Sequence, residues 1–263
     1  MTAGMIVVIY NIIYFRKFSR HPEKYSFAYR YQIIRKMVLY ILKCFRVDLY
    51  IDGYEKFSDL QRKSMIFENH LSDADPLIII ALSSRPISVV SKKEAFSYPF
   101  IKNALRALDA FSLDRENLMN QISQIRDMVA YLKDENRPNL LLYPEGTRNR
   151  KPEEACLSFH GGSLKICKIA GVDILPIVSF GASRIFTTKS YLKRYPVFIK
   201  ICDPINYSKM EKFDSNEEAK NLRKFFDQEI DKLRSLDYKE INSRKLSQKK
   251  KELETRIDIK RMS

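Results

Sequence analysis

Within Asn69-His70-Leu71-Ser72-Asp73-Ala74-Asp75, an imidazole and a carboxylate stand five positions apart, in a chain with only three histidines. A carboxylate that accepts the proton of one ring nitrogen fixes the tautomer and raises the basicity of the other nitrogen. That arrangement makes a general base near neutral pH. If His70 and Asp75 pair in this way, the chemistry is removal of a proton from a hydroxyl. The competing reading has Asp73 or Asp75 capping the helix expected over 77–82, with His70 incidental. Asp73 suits that cap, which leaves Asp75 for His70. A second group, Tyr143-Pro144-Glu145-Gly146-Thr147-Arg148, presents a carboxylate, a hydroxyl and a guanidinium around a glycine turn. Arginine recognises phosphate bidentately, and Thr147 and nearby backbone amides add donors. A plain turn with a surface arginine is the alternative. The stretch Phe111-Ser112-Leu113-Asp114-Arg115 also ends an apolar run on an arginine, although Asp114 and Arg115 read equally as a local ion pair. His160, in Phe159-His160-Gly161-Gly162, has no acid at comparable spacing and reads as structural or substrate-lining.

Such residues need rigid elements to place them. Short apolar runs at 49–51, 64–67, 87–90, 140–143, 174–178 and 197–201 read as strands, several without alternation, as strands covered on both faces do. Between them, Leu118, Ile122, Ile125, Val129 and Leu132 keep helical spacing. Near the end, Ser215 and Glu218 form a capping box ahead of Leu222, Phe226, Ile230 and Leu233. Alternating strands and helices predict a single α/β domain over 49–236, with a central mostly parallel or mixed sheet flanked by helices and a basic helix or tail over 237–263. In such sheets, functional residues gather beyond the carboxyl ends of strands. His70 follows one strand and Glu145 and Arg148 another, so both groups are expected to line one cleft. Pro176, inside the 174–178 run, predicts an edge or a bulge.

Composition narrows the surroundings. With 45% hydrophobic residues, 7 Gly and 10 Pro, the chain fits a packed core and excludes collagen-like or linker-rich architecture. Cys44, Cys156, Cys167 and Cys202 are scattered with no C-x-x-C pair, which favours reduced thiols over disulfides or a zinc site, and no metal is expected. The net charge of +15 sits at the ends: +7 over residues 1–49, +5 over 239–263 and +3 between. Both ends therefore attract an anionic surface. The N-terminus selects lipid over nucleic acid. Gly4 to Phe15 is apolar except for Asn11 and is followed by Arg16, Lys17 and Arg20. It is too short to span a bilayer unaided and lacks the basic n-region and cleavage site of a signal peptide. Tyr31 to Phe45 repeats apolar residues at 33, 34, 37, 38, 41, 42 and 45 between basic ones, the pattern of an interfacial amphipathic helix. Residues 1–48 are thus expected to associate with a membrane, monotopically or peripherally, with the body on the cytoplasmic side. A pair of core-packing helices is the alternative. Nothing resembles the aromatic-on-basic pattern of a nucleic-acid groove.

Taken in order, these groups resemble the four blocks of the glycerolipid acyltransferase family, typified by 1-acyl-glycerol-3-phosphate acyltransferases. Asn69, His70, Ser72 and Asp75 match the first block, and Phe111 to Arg115 looks like the second. Pro144 to Arg148 matches the third completely, and Leu175-Pro176-Ile177 looks like the fourth. The resemblance covers about residues 45–205. One departure is His160, where the family usually has a lysine, with Lys165 and Lys168 close by. The resemblance implies transfer of a fatty acyl group from an acyl-CoA or acyl-carrier-protein thioester to the free hydroxyl of lysophosphatidic acid. No cofactor or acyl-enzyme is implied. His70 would act as base and Asp75 as its partner. Arg148, Arg115, Thr147 and Gly146 would bind the acceptor's phosphate, and Glu145 would position the glycerol end or Arg148. Another acceptor, such as glycerol 3-phosphate, another lysophospholipid or a glycolipid, stays open, as does a non-catalytic membrane-binding or nucleic-acid-binding protein built on the basic ends.

Overall fold

The computed structural model describes residues 3–60, 62–113, 118–187 and 194–262. The apolar N-terminal run is helical: α1 (Ala3–Tyr10) passes through a π-helical turn (Asn11–Phe15) into α2 (Arg16–Arg20). The amphipathic stretch follows as α3 (Phe27–Cys44), capped by Ser26, whose side chain accepts the Tyr29 amide. Next come β1 (Val47–Asp52), α4 (Tyr54–Ser58), β2 (Ser64–Glu68), α5 (Asp75–Leu82), β3 (Ile87–Lys92), α6 (Ile101–Ala107) and β4 (Phe111–Leu113). The chain continues through α7 (Leu118–Lys133), β5 (Asn139–Leu142), α8 (Gly161–Ala170), β6 (Asp173–Phe180), α9 (Arg184–Thr187), β7 (Tyr195–Ile201) and α10 (Ser215–Met262). All six runs read as strands form strands. β4 is additional, because three residues carry too little periodicity to reveal a strand.

Among the described residues the seven strands form one mixed sheet in the order β1-β7-β6-β2-β5-β3-β4. β6, β2, β5, β3 and β4 run parallel, while β7 is antiparallel to β6 and parallel to β1. Helices cover both faces, which explains the unbroken apolar strands. On β2, Ile66 packs with α3 and α5, whereas Met65 and Phe67 pack with α7, α8 and α10; on β5, Leu141 and its neighbours Leu140 and Leu142 divide the same way. Each fully buried residue of this kind contributes about 1.5–3 kcal/mol of transfer free energy.

Pro176 is not at an edge, because β6 is an interior strand and Pro176 pairs with Phe67, but it does lie where the β7 side carries one extra residue, between the Ile177–Ile201 and Ile174–Ile205 pairs. Its carbonyl accepts the Cys202 amide where β7 ends, before the chain rejoins β6 at Ile174–Ile205. The missing N–H therefore falls at a gap in the ladder, where no partner strand needs it. The N-terminal cap of α10 also lies one residue before the expected Ser215. The Asp214 carboxylate accepts the amides of Asn216 and Glu217. Leu222, Phe226, Ile230 and Leu233 form the buried stripe of that helix, as their spacing requires.

The apolar stripe of α3 (Ile34, Met37, Val38, Ile41 and Leu42) lies against α5 within the domain core, so this stripe does not face lipid. Buried Arg30 ties α3 to the α6–β4 connection, donating to the Ala107 carbonyl at 2.7 Å and to both Asp109 oxygens at 2.8 and 2.9 Å. On the first helix Ile6, Asn11, Phe15 and Phe18 face inward, while Met5, Val8, Ile12 and Ile13 are exposed. Among the described residues no helix is long and apolar enough to cross a membrane. Residues 237–262 continue α10; Asp237 is buried against Arg184, and Arg244 reaches Asp48 and Tyr50 on β1.

Candidate active site

β2 and β5 are neighbours and parallel, with Met65, Ile66 and Phe67 level with Leu140, Leu141 and Leu142. The loops that follow them must therefore leave the same edge of the sheet. The His70 and Glu145 groups meet there as expected, but the contacts redistribute several roles.

His70 Nδ1 lies 3.0 Å from Asp75 Oδ2. The same oxygen accepts the amides of Leu71 and Ser72, each at 2.7 Å, so the loop folds back onto the carboxylate before α5 begins. This fold brings positions five apart into contact. Asp75 is fully buried and occupies the first turn of α5, where the helix dipole favours an anion. Burial pushes its carboxyl up from the ordinary value, opposed by His70 and by the Leu71 and Ser72 amides. The His70 side chain keeps 18% of its surface accessible, and Nε2 takes no partner among the described residues. Its ring lies on that of Tyr143, with centroids 4.0 Å apart and planes within 22°. An imidazole held this way presents one free, correctly tautomerised nitrogen to a substrate proton.

Asp73 is not the helix cap. No side chain caps α5; the Ser72 hydroxyl accepts the Ala74 amide, and exposed Asp73 pairs with Arg148 across the two loops. The cap is dispensable because Asp75 already occupies the first turn and Pro76 has no amide hydrogen to satisfy.

Glu145 departs from its expected contact with the glycerol end or with Arg148. It is 2% exposed, and its oxygens accept the His70 amide at 2.7 Å and the Leu157 amide at 2.9 Å. Burial raises its carboxyl, and the two amides oppose that rise. The Asn149 amide donates to the His70 carbonyl at 2.7 Å, so the turn grips both polar groups of the His70 residue. Gly146 takes φ 67°, the left-handed region that permits this turn. Thr147 and Arg148 remain exposed beside it, and Lys92, at the end of β3, donates to the Thr147 hydroxyl at 3.2 Å. Arg115 lies outside the described residues. His160 is exposed; its amide donates to the Pro144 carbonyl, and it precedes Gly161, where a side chain would collide with the start of α10. Among the described residues no three His, Cys, Asp or Glu side chains converge to hold a metal.

Three residues have roles that only their contacts reveal. Asn69 is fully buried and exchanges two hydrogen bonds with the Ser179 backbone, at 3.0 and 2.8 Å, anchoring the loop to β6. Lys92 joins the Thr147–Arg148 corner only through the neighbouring position of β3. Glu68 is buried beside the dyad, with the Tyr143 hydroxyl donating to its Oε2 at 3.0 Å.

Residues 49–179 match the family model described as "Acyltransferase". A 1-acyl-sn-glycerol-3-phosphate acyltransferase of Borreliella burgdorferi is 22% identical over 200 residues, covering 73% of this chain and 77% of that protein. The Saccharomyces cerevisiae protein of the same name is 24% identical, covering 73% of this chain and 62% of its own length. The Helicobacter pylori protein of that name is 33% identical over 125 residues, covering 48% and 52%. This chain thus spans less than two thirds of the yeast and Helicobacter relatives. The crystal structure of the 1-acyl-sn-glycerophosphate acyltransferase from Thermotoga maritima superposes with a TM-score of 0.68 at 20% identity, covering 88% of this chain and 95% of that one. At that identity the likeness concerns the fold.

Proposed function

The chain carries, over residues 49–179, a domain of the acyltransferase family, and from that premise we propose that it moves a fatty acyl group from a thioester to the free hydroxyl of 1-acyl-sn-glycerol 3-phosphate, giving phosphatidic acid. The observation that carries this reading is the His70–Asp75 dyad with an open Nε2, set on the same edge as Thr147, Arg148 and Lys92. Nε2 takes the hydroxyl proton while the oxygen attacks the thioester carbonyl, and Asp75 stabilises the imidazolium that forms. Collapse breaks the C–S bond, and the departing thiolate takes the proton from His70. The substrate alcohol is itself the nucleophile, so no acyl-enzyme forms and no cofactor is needed. Base catalysis of this kind is worth about 10²–10⁴ in rate.

Arg148 takes the acceptor's phosphate bidentately, exchanging Asp73 for it, and the Thr147 hydroxyl and Lys92 ammonium add donors. Arg115 is assigned to the same phosphate through its block alone. Glu145 and Gly146 act on substrate indirectly, by shaping the turn that holds His70. The thioester is an acyl-CoA or an acyl-carrier-protein conjugate. Residues 1–48 attach the protein to the cytoplasmic leaflet through the exposed apolar side chains of α1 and the basic residues Arg16, Lys17 and Arg20. Each such cation contributes about 1 kcal/mol near anionic lipid.

The test is acyl transfer to lysophosphatidate from each donor, with glycerol 3-phosphate as the competing acceptor. His70→Ala is expected to abolish transfer while leaving the fold and vesicle binding intact. Retained transfer removes His70 as the base, and preference for glycerol 3-phosphate replaces the acceptor.

A further inference from the structure

Beside the dyad lies a second carboxyl that the reaction does not use. Glu68 is the last residue of β2 and, like Asp75, is fully buried. Its Oε2 accepts the Tyr143 hydroxyl, and the Tyr143 ring is the surface on which the His70 imidazole lies. Glu68 Oε1 and Asp75 Oδ1 are both buried and take no hydrogen-bond partner among the described residues, whereas Asp75 Oδ2 takes three donors. The titratable groups acting on Glu68 are Asp75 from the first turn of α5 and Tyr143 from the turn after β5, with the Ser179 hydroxyl from β6; His70 lies on Tyr143, and Glu145 acts on His70 and Asp75. One imidazole cannot neutralise two buried carboxylates, so one carboxyl keeps its proton. Asp75, with its three donors, is the anion. Burial and the Asp75 charge both push Glu68 upward, with the Tyr143 hydroxyl first among the groups that oppose them.

We propose that Glu68 is a positioning residue of the dyad, held as the neutral acid: it anchors the Tyr143 ring that seats His70, and its proton spares Asp75 a like charge from the end of β2. The imidazolium formed during transfer then pairs with Asp75 in fixed geometry. This inference rests on His70 being the base, and the experiment below separates the two claims.

The first readout is the pH at which the His70 ring signals move in the NMR spectrum, identified by their absence in His70→Ala. Glu68→Gln keeps a neutral group of the same shape, so the His70 midpoint is expected to stay within about 0.3 pH unit of the unsubstituted protein. A fall of about one unit or more means that Glu68 was an anion, and overturns the proposal. This readout holds whether or not the protein acylates lysophosphatidate; if it does not, the functional reading fails while the protonation of Glu68 is still decided. The second readout is steady-state kinetics. Glu68→Ala and Tyr143→Phe, which each break the Glu68–Tyr143 hydrogen bond, are expected to lower kcat about tenfold with the acceptor KM within about twofold. Glu68→Gln is expected to restore most of what Glu68→Ala loses, because its amide oxygen still accepts the Tyr143 hydroxyl. An unchanged kcat in Tyr143→Phe, or a Glu68→Gln enzyme as slow as Glu68→Ala, overturns the positioning role. Should Glu68→Ala fail to fold, Tyr143→Phe and Glu68→Gln still decide the question.

Discussion

Replacing Glu145 by glutamine turns one oxygen into an amide NH2 while keeping the shape of the side chain. In the folded protein both oxygens are engaged, one by the His70 amide at 2.7 Å and the other by the Leu157 amide at 2.9 Å, and the residue is 2% exposed. Glutamine can accept only one of these amides and must set its own N–H group against the other. The loss of one hydrogen bond to a charged acceptor, about 1.5–3 kcal/mol, combines with a buried donor left unpaired, about 1–3 kcal/mol. A net destabilisation of about 3 kcal/mol corresponds to a Tm drop of roughly 6–12 °C for a chain of this size. The His70 peptide loses one of its two anchors, and a displacement near 1 Å lowers kcat by up to about 10²-fold. Because the Glu145 oxygens are taken by the His70 and Leu157 amides, KM for lysophosphatidate should hold. Thermal unfolding and steady-state kinetics on the same preparation test this. A raised KM with unchanged Tm and kcat would refute the positioning argument and return Glu145 to the substrate.

Other consequences follow from the same geometry. Asp73 pairs with Arg148, so under the phosphate role proposed for Arg148, Asp73→Asn should lower the acceptor KM, by at most about fivefold because an exposed pair is worth about 0–1 kcal/mol; Arg148→Ala should raise it, and an unchanged KM in both would dissociate Arg148 from the phosphate. Glu68 stands well above its ordinary value of 4.5 when folded. Above that pH the unfolded chain releases this proton and the folded protein retains it, so stability falls as pH rises toward the folded value, by about 1.4 kcal/mol per pH unit. Glu68→Gln should remove one proton's share of that slope in urea titrations between about pH 5.5 and 7; identical slopes would contradict a retained proton. Val8→Asp with Ile12→Asp should weaken sedimentation with anionic vesicles by about tenfold or more, since each side chain contributes about 1.5–3 kcal/mol when buried in apolar surroundings. Undiminished sedimentation would move membrane contact elsewhere.

Much of this protein was readable from the order of its residues, because the signals involved are local. Continuous apolar runs marked strands covered on both faces, and the positions of His70 and Glu145 just after two of those runs predicted a shared sheet edge. Helical spacing located the buried stripes of α3 and α10. What the tertiary structure decided depended on which groups met across the sheet edge. Asp73 and Arg148 looked like a cap and a free phosphate ligand, yet they pair because the β2 and β5 loops lie side by side. Glu145 looked like a substrate ligand until the amides of His70 and Leu157 occupied both of its oxygens. The α3 stripe suited lipid and core equally, since both are apolar, and only packing against α5 chose the core. Glu68 gave no signal at all: one acid at the end of a strand has no periodicity, and its meaning arises from burial beside Asp75 and Tyr143, 7 and 75 positions away in sequence.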